Sequence, residues 1–288
     1  MRGLEVHEAI GQVTVQDAGR RGHAHLGVPR AGWLDDPAAR AALRAVGEPE
    51  GGALLEVLGT LEVGLLGPAR WAVVTGAPGP LVCGGRPRAH GVPFRWEPGA
   101  RVRVGRPVRG VRRYLAVGGG LEVPSVLGSR ATDTLGGLGP APLRAGDVVP
   151  LGVPVAPPRF ADVVAPAAVA GRAGPVGLTV GPRLDWCAPD TLGVLTGSVW
   201  RVQPDSDRVA VRLDGPPLTR VRTEELPSEG LVPGAVQVPP GGRPVVFLAD
   251  HPTTGGYPVV AVVDAEDLAL LAQVAPGDAV RFTASRRS

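Results

Sequence analysis

The 288-residue chain contains no lysine and no asparagine, a single isoleucine (Ile10) and a single methionine (Met1). All 30 of its basic residues are therefore arginine. Without lysine there is no Walker A loop, whose lysine reaches the β- and γ-phosphates. Schiff-base chemistry is excluded, and so is any side-chain amine that could carry biotin or lipoate covalently. The net charge of +3 rests on guanidinium groups, which stay charged at any physiological pH, and is no sign of nucleic-acid binding. Cysteine is as scarce: Cys83 and Cys187 stand far apart with no C-x-x-C spacing. Two thiols cannot frame a disulfide scaffold of this size, so a reducing cytosol is the expected compartment. Long apolar runs are missing too. No stretch reaches the roughly 18 uncharged residues that a bilayer span needs, and residues 1–8 carry acids where a signal peptide has its apolar region. A soluble, cytoplasmic protein is expected.

What the chain has in abundance is glycine and proline, 43 and 32 residues. Such a content borders on that of low-complexity chains, but 44% of the residues are hydrophobic and only 20% charged, which is ample material for a core. The reading that fits both is a mainly β protein of short strands and tight turns, a barrel or a sandwich. Short alternating runs occur at 11–16, 70–74, 101–104, 200–203, 208–213 and 244–248, each placing one apolar row inward and one polar row outward. Two segments read as helices instead. Residues 36–47 begin Asp36-Pro37 and stop at Gly47; residues 264–274 begin at Asp264 and end before Pro276-Gly277. A short third helix is expected within 187–196. The expected division is an N-terminal β subdomain (1–152), a Pro/Ala-rich connection (153–176) and a C-terminal β subdomain (177–288). A Gly-Asp turn feeding a strand closes each half, at 143–149 and at 274–280, which is a weak sign of duplication.

Several loops carry candidate chemistry. Thr14–Arg20 runs from a strand into a Gly turn and ends with Asp17 and Arg20, which could face a substrate; composition favours a turn aspartate satisfied by backbone amides. Asp250–Pro258 sets an acid, an imidazole, two threonines, a double glycine and Tyr257 after an apolar strand. A double glycine lets backbone amides approach a ligand, and threonine hydroxyls can bond an oxyanion. So dense a polar set at a strand end favours function over a plain hairpin. Gly118-Gly119-Gly120 and Ser129-Arg130 are compatible with an anion-recognising loop and with plain turns alike; the dinucleotide fingerprint fails because Val123-Pro124 follows. No metal site is expected, since the five histidines lack ligand spacing, although His23 and His25 could share a strand face. No G-x-S-x-G elbow exists. Six arginines between Arg101 and Arg113 form a basic run without interleaved aromatics, better read as a solvated hairpin face or a contact for an acidic protein than as a nucleic-acid site.

Taken in order, these motifs resemble one family. They are Thr14-Val15-Gln16-Asp17-x-Gly19-Arg20, Gly32-x-Leu34-Asp35, Leu55-Glu56, Thr75-Gly76-Ala77 and Tyr114-Leu115-Ala116-Val117-x-Gly119-Gly120. The series continues with Val123–Arg130, Ser206-Asp207-Arg208, Ser228-Glu229-Gly230, Gln237–Gly241 and the Asp250–Pro258 loop. Their order and spacing resemble the family of the 5-oxoprolinase C subunit, also described as allophanate hydrolase subunit 2-like, as a biotin-dependent carboxyltransferase domain, and as the antagonist of a sporulation kinase inhibitor. The resemblance runs over about 4–283. It departs at Ala31-Gly32-Trp33, where Ser-Gly-Ala is expected and a hydroxyl is lost, and at Pro140, where an arginine often stands.

The resemblance implies a cyclophilin-like β-barrel architecture with a few short helices. It implies partners resembling the A and B subunits of 5-oxoprolinase, in a complex that opens 5-oxo-L-proline to L-glutamate at the expense of ATP, bound on a chain the sequence does not identify. The alternatives are a carboxyltransferase-type chain that acts on a urea or amide with carboxybiotin delivered by a partner, and a non-catalytic regulator that binds a kinase-inhibitor-like partner. Lysine-free, the chain would be a platform in either enzyme rather than the carrier. For such chemistry Asp17, Glu56, Asp250 and Tyr257 are the catalytic candidates. Arg20, Ser129, Arg130, Thr253, Thr254, Gly255 and Gly256 are the substrate-binding ones.

Overall fold

The computed structural model describes residues 2–160 and 175–285. Most of the Pro/Ala-rich connection expected at 153–176 therefore lies outside the described residues. The chain forms two compact units: residues 2–20, 31–133 and 137–160 make one, and residues 21–30, 134–136 and 175–285 the other.

The first unit is a nine-stranded sheet built on two long strands. Gly3–Gln16 and Leu54–Leu66 pair antiparallel from Gly3↔Leu66 to Gln16↔Leu54, with a bulge between Val6 and Glu8. Along its other edge Leu54–Leu66 pairs with Arg101–Val104 and with Arg112–Val117. Arg112–Val117 carries Arg70–Gly76, and Arg70–Gly76 carries Phe94–Trp96. Alternation does the sorting. In Arg101–Val104 the valines are buried and the arginines exposed, and Val102 and Val104 join Leu4, Val13, Leu55, Val57 and Trp96 in one apolar core. The opposite face of the sheet is covered by the helix Asp36–Ala45, whose Ala38, Ala39, Ala42 and Leu43 pack on Val73, Tyr114 and Ala116. Its cap is Asp35, one residue earlier than the expected Asp36: the Asp35 carboxylate accepts from the Ala38 amide at 3.1 Å.

The second unit is an eight-stranded sheet with a two-stranded ribbon beside it. Val259–Val263 lies between Ala235–Gln237 and Val176–Val180, and Val176–Val180 pairs parallel with Phe282–Ala284. Ala210, Ala235, Val245, Phe247 and Val259 form a core cluster. The third expected helix is present as Thr191–Gly197. The expected helix 264–274 is shorter: a 3-10 turn Ala265–Asp267 leads into Leu268–Leu271 only. Its acids are spent on the neighbouring strand, where Asp267 accepts from the Gly177 amide at 2.7 Å and Asp264 from the Thr179 hydroxyl at 3.0 Å. Among the described residues, three short helices against two large curled sheets give a mainly β protein with barrel-like halves.

The arginine run is not one solvated face. Arg101 and Arg103 reach Glu62 at 2.9 and 3.0 Å, but Arg112 and Arg113 are buried. Arg113 donates to the carbonyls of Pro80, Gly105 and Gly79, and burial pushes its pKa down to about 10. His23 caps and His25 lies within a 3-10 turn, Ala24–Leu26, so the two do not share a strand.

Candidate functional site

In the first unit the sequence-predicted residues gather at two buried carboxylates. Asp17 ends the first long strand. One of its oxygens accepts from the Gly19 amide (2.8 Å) and the Ser129 hydroxyl (2.6 Å), the other from the Arg130 amide (2.6 Å). The Ser129 hydroxyl also accepts from the Ala131 amide. Arg20 is 2% exposed and donates to the carbonyl oxygens of Ala131 and Val126, while Arg130 Nε donates to that of Val123. These groups thus hold the 123–131 loop from within. Gly32 is obligatory beside them: its φ is +88°, and a Cβ there would stand 2.8 Å from the Asp17 carbonyl oxygen. Among the described residues, Ala31 (φ 50°) and Leu127 (φ 51°) are the non-glycine positions with left-handed backbone, and each lies in a segment bonded to Asp17 or closed onto it.

Glu56 is the second carboxylate. It accepts from the Tyr114 hydroxyl at 2.9 Å and the Leu34 amide at 3.3 Å, and Arg112 lies 3.5 Å away. Tyr114 in turn accepts from the Asp35 amide at 2.9 Å. Burial, then the nearby charges of Glu56 and Asp35, push the Tyr114 phenol well above its ordinary pKa, so it stays a donor. The cluster ties the sheet to the start of the helix that covers it.

The Gly118–Gly120 segment is a plain turn. Its three amides are already committed to Trp71 O (2.8 Å), Glu48 Oε1 (2.6 Å) and Val117 O (3.0 Å), leaving no donor for a phosphate. Burial raises the Glu48 carboxyl, against the lowering by its amide bonds.

In the second unit Asp250 is fully buried against fully buried Arg208. Arg208 donates Nε to one carboxylate oxygen at 3.0 Å and Nη2 to the other at 3.1 Å. Thr134 adds its amide (2.9 Å) and hydroxyl (2.7 Å). From this anchor springs the loop to Tyr257. His251 donates Nδ1–H to the Pro252 carbonyl at 2.7 Å and is held neutral, chiefly by burial, leaving Nε2 with a lone pair. Thr254–Gly255 pairs with Glu229–Gly230, and Glu229 is gripped by Arg183. A Cβ at Gly255 would lie 2.6 Å from Gln237 Nε2 and displace that side chain; the amide nitrogen donates to the Tyr257 carbonyl at 3.0 Å. Thr254 and Tyr257 are exposed, the latter at 44%, while Thr253 and Gly256 are half-buried. The Val238 amide bonds the Pro258 carbonyl at 3.1 Å. The chain then continues into Pro240-Gly241-Gly242, one wall of a 440 Å³ cavity that Thr219, Arg220 and Thr223 complete.

The carboxyltransferase domain, subdomain A and B, matches residues 26–284. The chain belongs to this family. It is 36% identical to the 5-oxoprolinase C subunit of Escherichia coli (strain K12), over 97% of this chain and 90% of that one. It is 30% identical to urea amidolyase of Lachancea kluyveri over 97% of its own length but only 17% of that protein. The crystal structure of TTHA0988 superposes with a TM-score of 0.87 at 38% identity, covering 98% of this chain and 56% of that one. The K. lactis urea amidolyase structure gives 0.89 at 27% identity, covering 98% and 18%. The chain thus spans little more than half of the first of these structures and a small part of the second.

For this carboxyltransferase-family chain the structure brings together Asp17, Arg20, Ser129 and Arg130 in one unit, and Asp250 with Thr253–Tyr257 in the other. Glu56 heads a separate cluster. Sequence reasoning left out Arg208, Thr134, Gln237 and Arg220. Two of these stood in motifs already singled out, Ser206–Arg208 and Gln237–Gly241; nothing local marks Thr134, whose role is made by a partner 116 positions away. Among the described residues no group of three or more His, Cys, Asp or Glu could hold a metal ion. Cys83 and Cys187 are both buried and unpaired as thiols. Among the described residues, no helix is long and apolar enough to cross a membrane.

Proposed function

We propose that this chain is the C component of a cytoplasmic, ATP-dependent 5-oxoprolinase complex, working with A-type and B-type partner chains to open 5-oxo-L-proline to L-glutamate. The observation that carries this reading is the near end-to-end likeness to the 5-oxoprolinase C subunit, where the urea amidolyases match over a fraction of their length. A lactam carbonyl is a poor electrophile, and ATP supplies its activation by phosphorylation of the carbonyl oxygen. This chain fits neither a P-loop nor a covalently held biotin, having no lysine. Its task is to bind and orient.

The Asp250–Tyr257 loop is the surface offered to the substrate. Thr253, Thr254 and Tyr257 present hydroxyls, and Gly255-Gly256 brings backbone close to a bound carbonyl. Asp250, with its oxygens taken by Arg208 and Thr134, is a positioning residue, and the neutral His251 beside it is suited to accept a proton at Nε2. Asp17 and Glu56 act in the same indirect way within the first unit: Asp17, with Arg20 and Arg130, sets the 123–131 loop, and Glu56 sets the helix start.

The test is reconstitution. With the A-type and B-type proteins co-expressed, 5-oxoproline-dependent release of ADP and glutamate should require this chain. Thr254→Ala combined with Tyr257→Phe should lower kcat/KM at least tenfold while the melting temperature stays put. Full turnover by that variant sinks the site; turnover that is the same with and without this chain sinks the function. The family match gives one second reading its own support, carboxyl transfer from a carboxybiotin carried by a partner, which predicts activity abolished by avidin.

A further inference from the structure

In the first unit Arg70 opens the strand Arg70–Gly76 and is only 7% exposed. Its guanidinium meets no carboxylate among the described residues. Nη1 makes a long 3.4 Å contact with the carbonyl of Ala69, and Nε is shielded from water without any hydrogen-bond partner among the described residues. A buried, unmatched cation costs several kcal/mol unless something compensates it. The neighbouring charges make matters worse. Burial first, then repulsion from Arg2 and Arg95, pulls the Arg70 pKa below its ordinary value. Glu97, which meets Arg95 at 3.3 Å, lies on the exposed side of that pair.

Arg70 and Arg95 both line a cavity of about 450 Å³, a size suited to a small organic ligand. Its other walls are apolar: Trp71, Val46, Pro154 and Pro158. The Arg95 guanidinium lies over the Trp71 ring, 5.8 Å from its centroid, and the Phe160 ring stands perpendicular to it at 5.0 Å. Excess positive charge at one side and an aromatic wall at another call for a ligand that is negative at one end and apolar at the other. A bound oxyanion would supply the partner Arg70 lacks, through charge-assisted hydrogen bonds from a planar donor fork.

We propose that the Arg70–Trp71–Arg95 cavity is a binding site for a small organic anion, a carboxylate or phosphate head carried on an apolar body. The proposal is independent of the 5-oxoprolinase reading, because it concerns the isolated chain and a cavity that reading does not use.

Benzoate and phenyl phosphate are the probes, with inorganic phosphate as the headgroup alone, titrated into the purified chain by calorimetry and followed by tryptophan fluorescence. At least one of the two aromatic anions should bind, more tightly than inorganic phosphate, and change the fluorescence. Arg70→Gln should weaken that binding at least tenfold and Arg95→Gln, at an exposed position, several-fold. Trp71→Phe should keep binding but remove most of the fluorescence change. Arg70→Met should leave the free protein at least as heat-stable as the native chain while abolishing anion-induced stabilisation. Binding of benzoate alone identifies a carboxylate ligand, and of phenyl phosphate alone a phosphate ester. Equal affinity of the native, Arg70→Gln and Arg95→Gln proteins overturns the proposal, as does absence of binding by both aromatic anions at millimolar concentrations.

Discussion

Glu56 in the first unit and Asp250 in the second are both buried carboxylates facing buried arginines, yet they are built differently. Glu56 accepts from a phenol and a backbone amide and pairs with Arg112 at 3.5 Å. Asp250 meets Arg208 through both oxygens at 3.0 and 3.1 Å and adds two bonds from Thr134. The first arrangement ends in a covered helix start, the second in a loop whose tip is exposed. A carboxylate with a phenol and an amide close by and its arginine at 3.5 Å suffices where packing on both sides already holds the elements together. A loop that must stay accessible has few apolar contacts to position it, and a fork-to-carboxylate pair at its root supplies the orientation instead.

The comparison breaks hardest at Arg208. Arg208→Ala leaves Asp250 buried without its cation, and should cost about 3–5 kcal/mol in urea unfolding, with loss of turnover in the proposed complex. Should Arg208→Ala cost no more than a surface substitution, the ion pair is not what roots the loop. Tyr114→Phe probes the Glu56 cluster. It strands the Asp35 amide and removes one donor from Glu56, and should cost about 1–3 kcal/mol with little change in any substrate constant. A larger loss than that of Arg208→Ala would reverse the ranking of the two clusters.

The smallest expected effect is in the pH dependence. His90 is held down to about 4, first by burial and then by the Arg113 charge, from an ordinary 6.5. The unfolded chain therefore takes up a proton that the folded one refuses, so stability is full above about pH 6.5 and declines as pH falls towards about 4. Partial solvent access limits this to about 1–2 kcal/mol, less than the full shift would give at roughly 1.4 kcal/mol per unit. His90→Gln should flatten that part of the stability–pH profile; an unchanged slope between pH 6.5 and 4 would mean another group is responsible.

Much of this was legible in the chain. The alternation of 101–104 did place its valines in the core, and Asp36-Pro37 did open a helix, because both patterns are settled by neighbours in sequence. The Asp250–Pro258 loop stood out through its polar density, and the structure gives it an exposed tip on a buried root. The arginine run misled. Composition shows six like charges, but Arg113 is buried and donates its Nη1 and Nη2 groups to carbonyls of residues 79, 80 and 105, and only the fold brings those oxygens around it. The expected helix at 264–274 is shorter as well, a 3-10 turn and Leu268–Leu271, and Asp264 and Asp267 bond to a strand far away in sequence.

The sequence by itself determined the class of the protein: the strand periods, the helix at 36–45, the absence of amine chemistry and the family to which the motifs belong. These depend on residue type and local spacing, which the chain carries wherever it folds. Tertiary structure alone decided which charges are matched. Arg208 found Asp250 across 42 positions, and Asp250 found Thr134 across 116, whereas Arg70 was buried beside Arg2 and Arg95 with no acid among the described residues to meet it. The reason is that the energy of a buried charge is set by the few ångströms around it, and distant segments, brought together by burial of their apolar faces, fill that space.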